Sequence, residues 1–374
     1  MDKDGDLDLY VASGGNEFPE NDPQYKDRLY ENVKGRFIHR PDLLPDNLSI
    51  SSSRVKVEDY DGDGYPDIFV GGRHVPHHYP APASSYLLHN NGGSFENVSA
   101  EMAPDLESVG LVTDAAWFDF DGDGDSDLCI VGEWMAPLLL ENKDGKFEKV
   151  AQPSSEKLTG WYYSVTAHDA DGDGDLDLLL GNLGENYKYK ANAEEPFEVY
   201  YGDFDENGKK DLVLGYYNFG ELFPVRGREC SSQQMPNIKR IMPTYHDFGQ
   251  ATIADIYGPE KLNEALHLLA YNFKSGILRN EGQGQFSFIA FPEEAQLSSI
   301  NAILPKDLDG DGQAELIMAG NLFTSEIETP RNDAGYGLVL QSKGKGEYAP
   351  ISNAESGLFL PGDVKVLRWI EVNG

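Results

Sequence analysis

A ten-residue acidic loop recurs along the chain, and its repetition constrains the fold more than any other feature. It reads DYDGDGYPDI from Asp59, DFDGDGDSDL from Asp119, DADGDGDLDL from Asp169, DFDENGKKDL from Asp203 and DLDGDGQAEL from Asp307. A sixth copy, DKDGDLDL from Asp2, lacks its first residue. Oxygen-bearing side chains stand at positions 1, 3, 5 and 9, with a turn-forming glycine at 6, as a hard cation of calcium's size requires. The expected ligands are Asp2, Asp4 and Asp8; Asp59, Asp61, Asp63 and Asp67; Asp119, Asp121, Asp123 and Asp127; Asp169, Asp171, Asp173 and Asp177; Asp203, Asp205, Asn207 and Asp211; and Asp307, Asp309, Asp311 and Glu315. Position 7 varies freely (Tyr65, Asp125, Asp175, Lys209, Gln313), as expected of a residue that gives only its backbone carbonyl. About five Ca²⁺ ions are the expected cofactor.

An EF-hand begins the same way but closes with an acid at position 12 and continues as a helix. Position 12 here is Val70, Ile130, Leu180, Leu214 and Met318, within short apolar runs that end near glycine or asparagine. Such runs read as buried strands. A second element alternates with the loops: LYENVKGRF from Leu29, LLHNNGGSFENV from Leu87, LLLENKDGKFEKV from Leu138, ILRNEGQGQFSF from Ile277 and LVLQSKGKGEY from Leu338. Each is an apolar strand, a Gly/Asn turn and a return strand, the signature of a hairpin. Strand, acidic loop, core strand and hairpin together make one blade of a β-propeller.

The expected fold class is all-β, a single seven-bladed propeller over 1–374 with calcium loops between the first two strands of most blades. Six blades is the alternative, because 169–203 holds no clear hairpin. The wide spacing from 203 to 307 suggests a blade without metal, with ATIADIYG around Asp255 as its degenerate loop. Residues 219–275 read as a decorated insertion, with an i, i+3, i+4, i+7 helix over 259–273 carried by Leu262, Ala265, Leu266 and Leu269. The run DVKVLRWIEV at 363–372 matches a first blade strand, so 364–372 is expected beside 7–12, closing a ring. Glu371 opens a further loop copy that reaches Asn373 and Gly374. Both ends thus fall inside a motif, as in a piece of a longer protein.

The formal net charge is −34. That acidity argues against nucleic acid, whose phosphates need Lys and Arg to displace counterions. No apolar run is long enough to span a bilayer. Of two cysteines, Cys129 lies in the apolar run LCIV and reads as a buried thiol. Weak calcium loops suit the millimolar calcium outside cells, so an extracellular, periplasmic or cell-surface location is expected.

These residues carry a family resemblance. D-x-D-G-D-G-x-x-D-L followed by an apolar strand, with N-x-G-x-G-x-F hairpins, resembles the FG-GAP and VCBS repeats that form the calcium-binding propeller of integrin α subunits. The segments VGGRHVP, SYLLHNNGGSFENV, VTDAAWFDFDGDG, VGEWM, GNLGENYKYKA and DFDENGKKDLVL resemble large secreted bacterial proteins that pair this propeller with a C-terminal ASPIC/UnbV domain, the cartilage acidic protein-like group. The resemblance implies a calcium-bound, extracytoplasmic propeller and implies no reaction. Glu315, in place of the closing Asp, departs from the pattern.

Polar and aromatic residues follow the core strands: Asn16, Arg73, Glu133, Trp134, Asn182, Asn186, Tyr216, Tyr217 and Asn321. In parallel register they would gather at one channel mouth as a ligand face for a glycan or protein partner. The bland alternative is that they satisfy backbone ends. The run Arg73-His74-Val75-Pro76-His77-His78 is a weak candidate for a transition metal, read here as an exposed loop. Two function classes remain, with no catalytic residue assigned. One is a non-catalytic adhesion or ligand-binding module; the other is a polysaccharide lyase or hydrolase acting at the channel mouth. A spacer for a C-terminal domain is a third reading. The sequence contains neither G-x-S-x-G nor H-E-x-x-H, no Ser/His/Asp arrangement stands out in it, and its abundant acids leave room for a catalytic carboxylate pair.

Overall fold

Every acidic loop hands the chain to a strand: Leu9–Val11, Asp67–His74, Asp127–Met135, Asp177–Gly181, Asp211–Asn218 and Glu315–Gly320. Their apolar, partly β-branched composition favours a pleated conformation buried on both faces. The computed structural model describes residues 1–151, 155–326 and 329–372. It is mostly β, with a few short helices. All five hairpins expected from the sequence are present.

Five antiparallel sheets follow one another along the chain, here numbered I to V. Sheet I holds Leu9–Val11, Arg28–Val33 and Arg36–His39. Sheet II holds Ser51–Glu58, Asp67–His74, Tyr86–Asn90 and Phe95–Asn97. Sheet III holds Leu111–Phe118, Asp127–Met135, Leu138–Lys143 and Lys146–Lys149, with Gly160–Trp161 added beside the second strand. Sheet IV joins Ser164–His168 and Asp177–Gly181 to the distant Gly276–Asn280 and Phe286–Ala290. Sheet V holds Ile300–Lys306, Glu315–Gly320, Leu338–Ser342 and Tyr348–Ile351.

Neighbouring sheets pack face to face, and the period-2 alternation of the core strands decides which residue meets which neighbour. Leu128 and Ile130 face sheet II, among Phe69 and Leu87. Cys129 and Val131 face sheet IV, among Leu178, Leu180 and Leu278. On sheet IV, Leu179 points the other way, into Leu316, Met318 and Leu340 of sheet V. Sheets I and II share Leu29, Ile68, Val70 and Leu88. Each such side chain, removed from water, stabilises the stack by roughly 1.5–3 kcal/mol. Cys129 is fully buried, and burial pushes its thiol well above the usual range.

Several expectations are corrected. The Asp203 loop does not open the next sheet in line. It belongs to a sixth sheet, VI, whose strands Phe197–Gly202, Asp211–Asn218, Glu221–Pro224 and Leu266–Ala270 lie in sequence between the second and third strands of sheet IV. The wide 203–307 spacing therefore reflects the chain returning to complete sheet IV, not a blade lacking metal. Around Asp255 there is no degenerate loop. Ile253–Tyr257 is a helix, because Thr252 and Asp255 form a reciprocal capping box.

The helix expected over 259–273 stops at Glu264. Leu266–Ala270 pairs instead with Phe197–Tyr201, and this long-range pairing overrides the helical periodicity. No strand forms at 364–372, and Leu9–Val11 is the edge of a three-stranded sheet, so the expected pairing of 364–372 with 7–12 is not made. The C-terminal segment lies along sheet V instead: the Val364 amide donates to Gly320 O at 3.0 Å, and Lys306 Nζ sits 5.0 Å from the Trp369 ring. Asn373 and Gly374 lie outside the described residues.

Candidate metal centres

The acidic loops fold on a shared ladder of side chain-to-backbone hydrogen bonds. In the Asp119 loop, the two carboxylate oxygens of Asp119 accept from the amides of Gly122 (2.8 Å) and Gly124 (3.0 Å). Asp121 accepts from Asp123 N (3.2 Å), and Asp123 from Asp125 N (2.9 Å). The loops at Asp169 and Asp307 repeat all four bonds. The Asp203 loop keeps the bonds to Asp203 and Asn207, and the first loop keeps those to Asp2 and Asp4. The bonds to Asp121 and Asp123 use one oxygen of each carboxylate and leave the other outside the ladder, whereas both oxygens of Asp119 accept a glycine amide. Gly122 and Gly124 take φ of 78° and 95°, which a side chain would oppose.

Position 9 is the first residue of the core strand and is buried in every loop after the first: Asp67, Asp127, Asp177, Asp211 and Glu315. Its carboxylate accepts the position-2 amide of its own loop, from Phe120, Ala170, Phe204 or Leu308. Ligand oxygens of Asp119, Asp121 and Asp127 lie within 4.8 Å of one another, as do those of Asp169, Asp171 and Asp177, those of Asp203, Asp205 and Asp211, and those of Asp59, Asp61 and Asp63. Burial pushes three of these aspartates up, Asp127 to about 7 and Asp177 and Asp211 to about 6. Asp67 moves in the same direction for the same reason. Asp6 Oδ1, Asp59 Oδ1, Asp67 Oδ2 and Asp205 Oδ1 are buried without any hydrogen-bond partner. Converging, partly buried, under-satisfied carboxylates are the donor set a hard divalent ion fits. Held in that way, Ca²⁺ would neutralise the cluster and fix the turn that launches the core strand.

The sequence reading took the hairpin asparagines only as turn formers, and so missed their wider role. Asn142 ties three parts together. Its backbone amide donates to Asp127 (2.8 Å), and its side-chain amide donates to Ser126 O of the same loop (3.2 Å) and Tyr60 O of the preceding loop (2.7 Å). Asn90 does the same with Asp67, Pro66 O and Met1 O; Asn280 does so with Asp177, Leu176 O and Phe120 O. In sheet V, Ser342 takes the Asn position, and the hydroxyl of Tyr348 reaches Ala170 O instead. In sheet VI, Lys261 from the helix Pro259–Glu264 reaches Phe204 O. The asparagine recurring just before the turn in LYEN, LLHN, LLLEN and ILRN was the available signal.

Of the candidate ligand face, three residues come together. Arg73 Nη2 donates to Glu133 Oε1 (2.6 Å), Tyr79 donates to Glu133 Oε2 (3.1 Å), and Trp134 Nε1 donates to the Tyr79 hydroxyl (2.7 Å). Trp134 itself has φ 59° and stacks on Phe197. Arg73 Nη1 is buried with no partner. Asn182 and Asn321 are fully buried and spend their amides on the backbone of 272–274 and on Gly335 and Gly362. Asn186 is exposed and donates to Leu297 O, while Asn16 accepts from His77 N. Tyr217 lies on sheet VI and donates to Glu198, and Tyr216 is exposed there. The three histidines near Arg73 disperse: His74 faces Gly15 O, and His78 meets the Tyr201 hydroxyl.

These features define a chain of stacked antiparallel sheets in which acidic loops open the core strands. Residues 1–70, 59–130 and 119–180 each match the family model described as an FG-GAP-like repeat. Each matched stretch starts at an acidic loop and ends in the core strand after the next one. No curated protein matches the chain. Among the described residues no helix is long and apolar enough to cross a membrane.

Proposed function

We propose that this chain is a calcium-braced β-propeller of the FG-GAP/VCBS type, working outside the cytoplasm as a non-catalytic adhesion or ligand-binding module. The observation that carries the reading is the recurring buried position-9 carboxylate, which converges with two others at the head of a core strand in the Asp119, Asp169 and Asp203 loops. Without a cation, such a cluster is a standing electrostatic penalty. With calcium, it becomes the joint that aims each sheet. The stacking of sheets I to V in chain order supports a propeller arrangement. The likeness of short segments to the ASPIC/UnbV group supports a role in presenting or accompanying a further domain.

The ligand surface is assigned to Arg73, Glu133, Tyr79 and Trp134, where an unpaired guanidinium nitrogen, a carboxylate and aromatic rings meet. That chemistry suits a polar glycan or peptide. Glycan-array binding with calcium and with EDTA tests the assignment: calcium-dependent binding lost in Arg73→Ala supports it, and binding indifferent to both overturns it.

One observation favours the second reading, an enzyme acting on polysaccharide. On sheet VI, Glu198 accepts from His267 Nε2 (2.8 Å), Tyr200 (2.7 Å) and Tyr217 (3.0 Å), and Tyr200 stacks on His267 at 4.1 Å. Burial raises the Glu198 carboxyl, and the three donors outweigh it and hold the group below its usual range. An imidazole and two phenols around one carboxylate are general acid/base equipment. Depolymerisation of a bound glycan, lost in His267→Ala, would establish that reading.

A further inference from the structure

The loop at Asp59 is unlike its siblings in one respect: an imidazole nitrogen faces it. We infer that this site selects a borderline transition-metal ion, Zn²⁺, over Ca²⁺, with Asp61, Asp67 and His89 as its protein ligands. The inference rests on the reading that the acidic loops hold cations, and it assigns one of them a different ion.

His89 Nδ1 lies 3.2 Å from Asp61 Oδ2 and 3.2 Å from Asp67 Oδ1. It is buried and forms a hydrogen bond with neither. With the ring protonated these contacts are an ion pair; with it neutral, the nitrogen stands between two carboxylate oxygens, one of which also accepts the Asn90 amide at 2.7 Å, and is placed to share a cation with them. Two ligands at about 2.0–2.1 Å from a tetrahedral zinc lie about 3.3 Å apart, which the observed separations match. The Asp67 side chain is fully buried, and its second oxygen also lacks a partner. Asp59 Oδ1, in a group that shares Asp61, is a third buried atom without one. In the Asp119 and Asp169 loops the corresponding position-9 oxygen accepts the position-2 amide, and the position-1 oxygens accept glycine amides. The Asp59 loop thus has more donor capacity left over, and one of its donors is an imidazole.

The residue before the hairpin asparagine makes the difference. It is Glu31, Glu141 and Arg279 in sheets I, III and IV, and Gln341 stands at the same place in sheet V. Glu141 adds negative charge beside Asp121, and Arg279 adds positive charge beside Asp171. Neither brings an imidazole nitrogen. Imidazole suits zinc and other borderline ions, whereas Ca²⁺ takes oxygen almost exclusively.

The test is dialysis of the whole chain against millimolar calcium with micromolar zinc, followed by elemental analysis, for wild type and His89→Gln. One zinc per chain in wild type, with zinc affinity falling about 10-fold or more in the variant and calcium retained elsewhere, supports the inference. Equal zinc in both proteins, or calcium without zinc in the wild type, overturns it and leaves the other loops standing as calcium sites. Neither metal retained overturns the underlying reading as well. Cobalt substitution of the wild type gives an independent readout. Intense visible bands of a four-coordinate nitrogen–oxygen site are expected, and only the weak bands of a six-coordinate oxygen site would refute it.

Discussion

Replacing Asn142 by alanine removes three side-chain hydrogen bonds at once and leaves the backbone amide bonded to Asp127. The bonds lost run to Tyr60 O, to Ser126 O and from the Gly145 amide (2.8 Å). Asn142 is 1% exposed, and Tyr60 is 4% exposed, so water cannot readily take the place of the amide. A net loss of about 1 kcal/mol per hydrogen bond, with an added penalty for the buried groups left unpaired, gives a destabilisation of about 3–5 kcal/mol. The measurement is urea denaturation with calcium saturating, alongside Asn91→Ala in the exposed sheet II turn, which is expected to stay within about 0.5 kcal/mol. Because Tyr60 sits inside the Asp59 loop, Asn142→Ala is also expected to weaken metal binding there, one sheet away from the substitution. A cost below about 1 kcal/mol, or metal affinity changed only in the Asp119 loop, would refute the view that the asparagine couples neighbouring loops.

Removing metal with EDTA is expected to lower the melting temperature and expose apolar surface; each site held at a hundredfold excess over its Kd contributes about 2.7 kcal/mol, and a melt indifferent to EDTA would count against calcium bracing. The metal-free protein is expected to lose stability as pH rises. Asp127 at about 7, and Asp177 and Asp211 at about 6, lie above the unfolded value of 3.8, so the folded state holds these protons longer. Their contribution is present near pH 4 and lost through about pH 6–7, up to about 3 kcal/mol each, and calcium should abolish the fall. Thermal melts from pH 5 to 8, with and without calcium, check this. Gly124→Ala is expected to cost about 1–2 kcal/mol by denaturation although a Cβ there meets nothing within 4 Å, because φ is 95°. Glu133→Ala should destabilise by about 3 kcal/mol in a thermal melt, since it strands the Arg73 charge beside Tyr79.

The strands and hairpins were legible because loop, apolar run and turn residue repeat in a fixed order, and that order alone dictates local structure. The position-9 acids were legible for the same reason. What escaped was decided by distant partners. Leu262, Ala265, Leu266 and Leu269 fit a helix by spacing, yet Leu266 and Leu269 pair with Tyr201 and Glu198, more than sixty residues earlier. The Asp203 motif looks like its siblings, so no local signal marks it as part of an inserted sheet. Thr252 and Asp255 read as a worn acidic loop, although the same pair caps a helix. Asn142 gains its role only from Tyr60, which sheet stacking brings close, and His89 from Asp61, which strand pairing within sheet II brings close.

Sheet IV is assembled from two stretches separated by everything that builds sheet VI and its helices. On the ribosome, Ser164–His168 and Asp177–Gly181 emerge with an unpaired edge that must wait for Gly276–Asn280. Sheets I to III can mature meanwhile, and Leu178 and Leu180 can already settle against Cys129 and Val131. The late arrival of its third strand is expected to make this region slow to fold, and the interval during which its edge stays open is when aggregation would threaten.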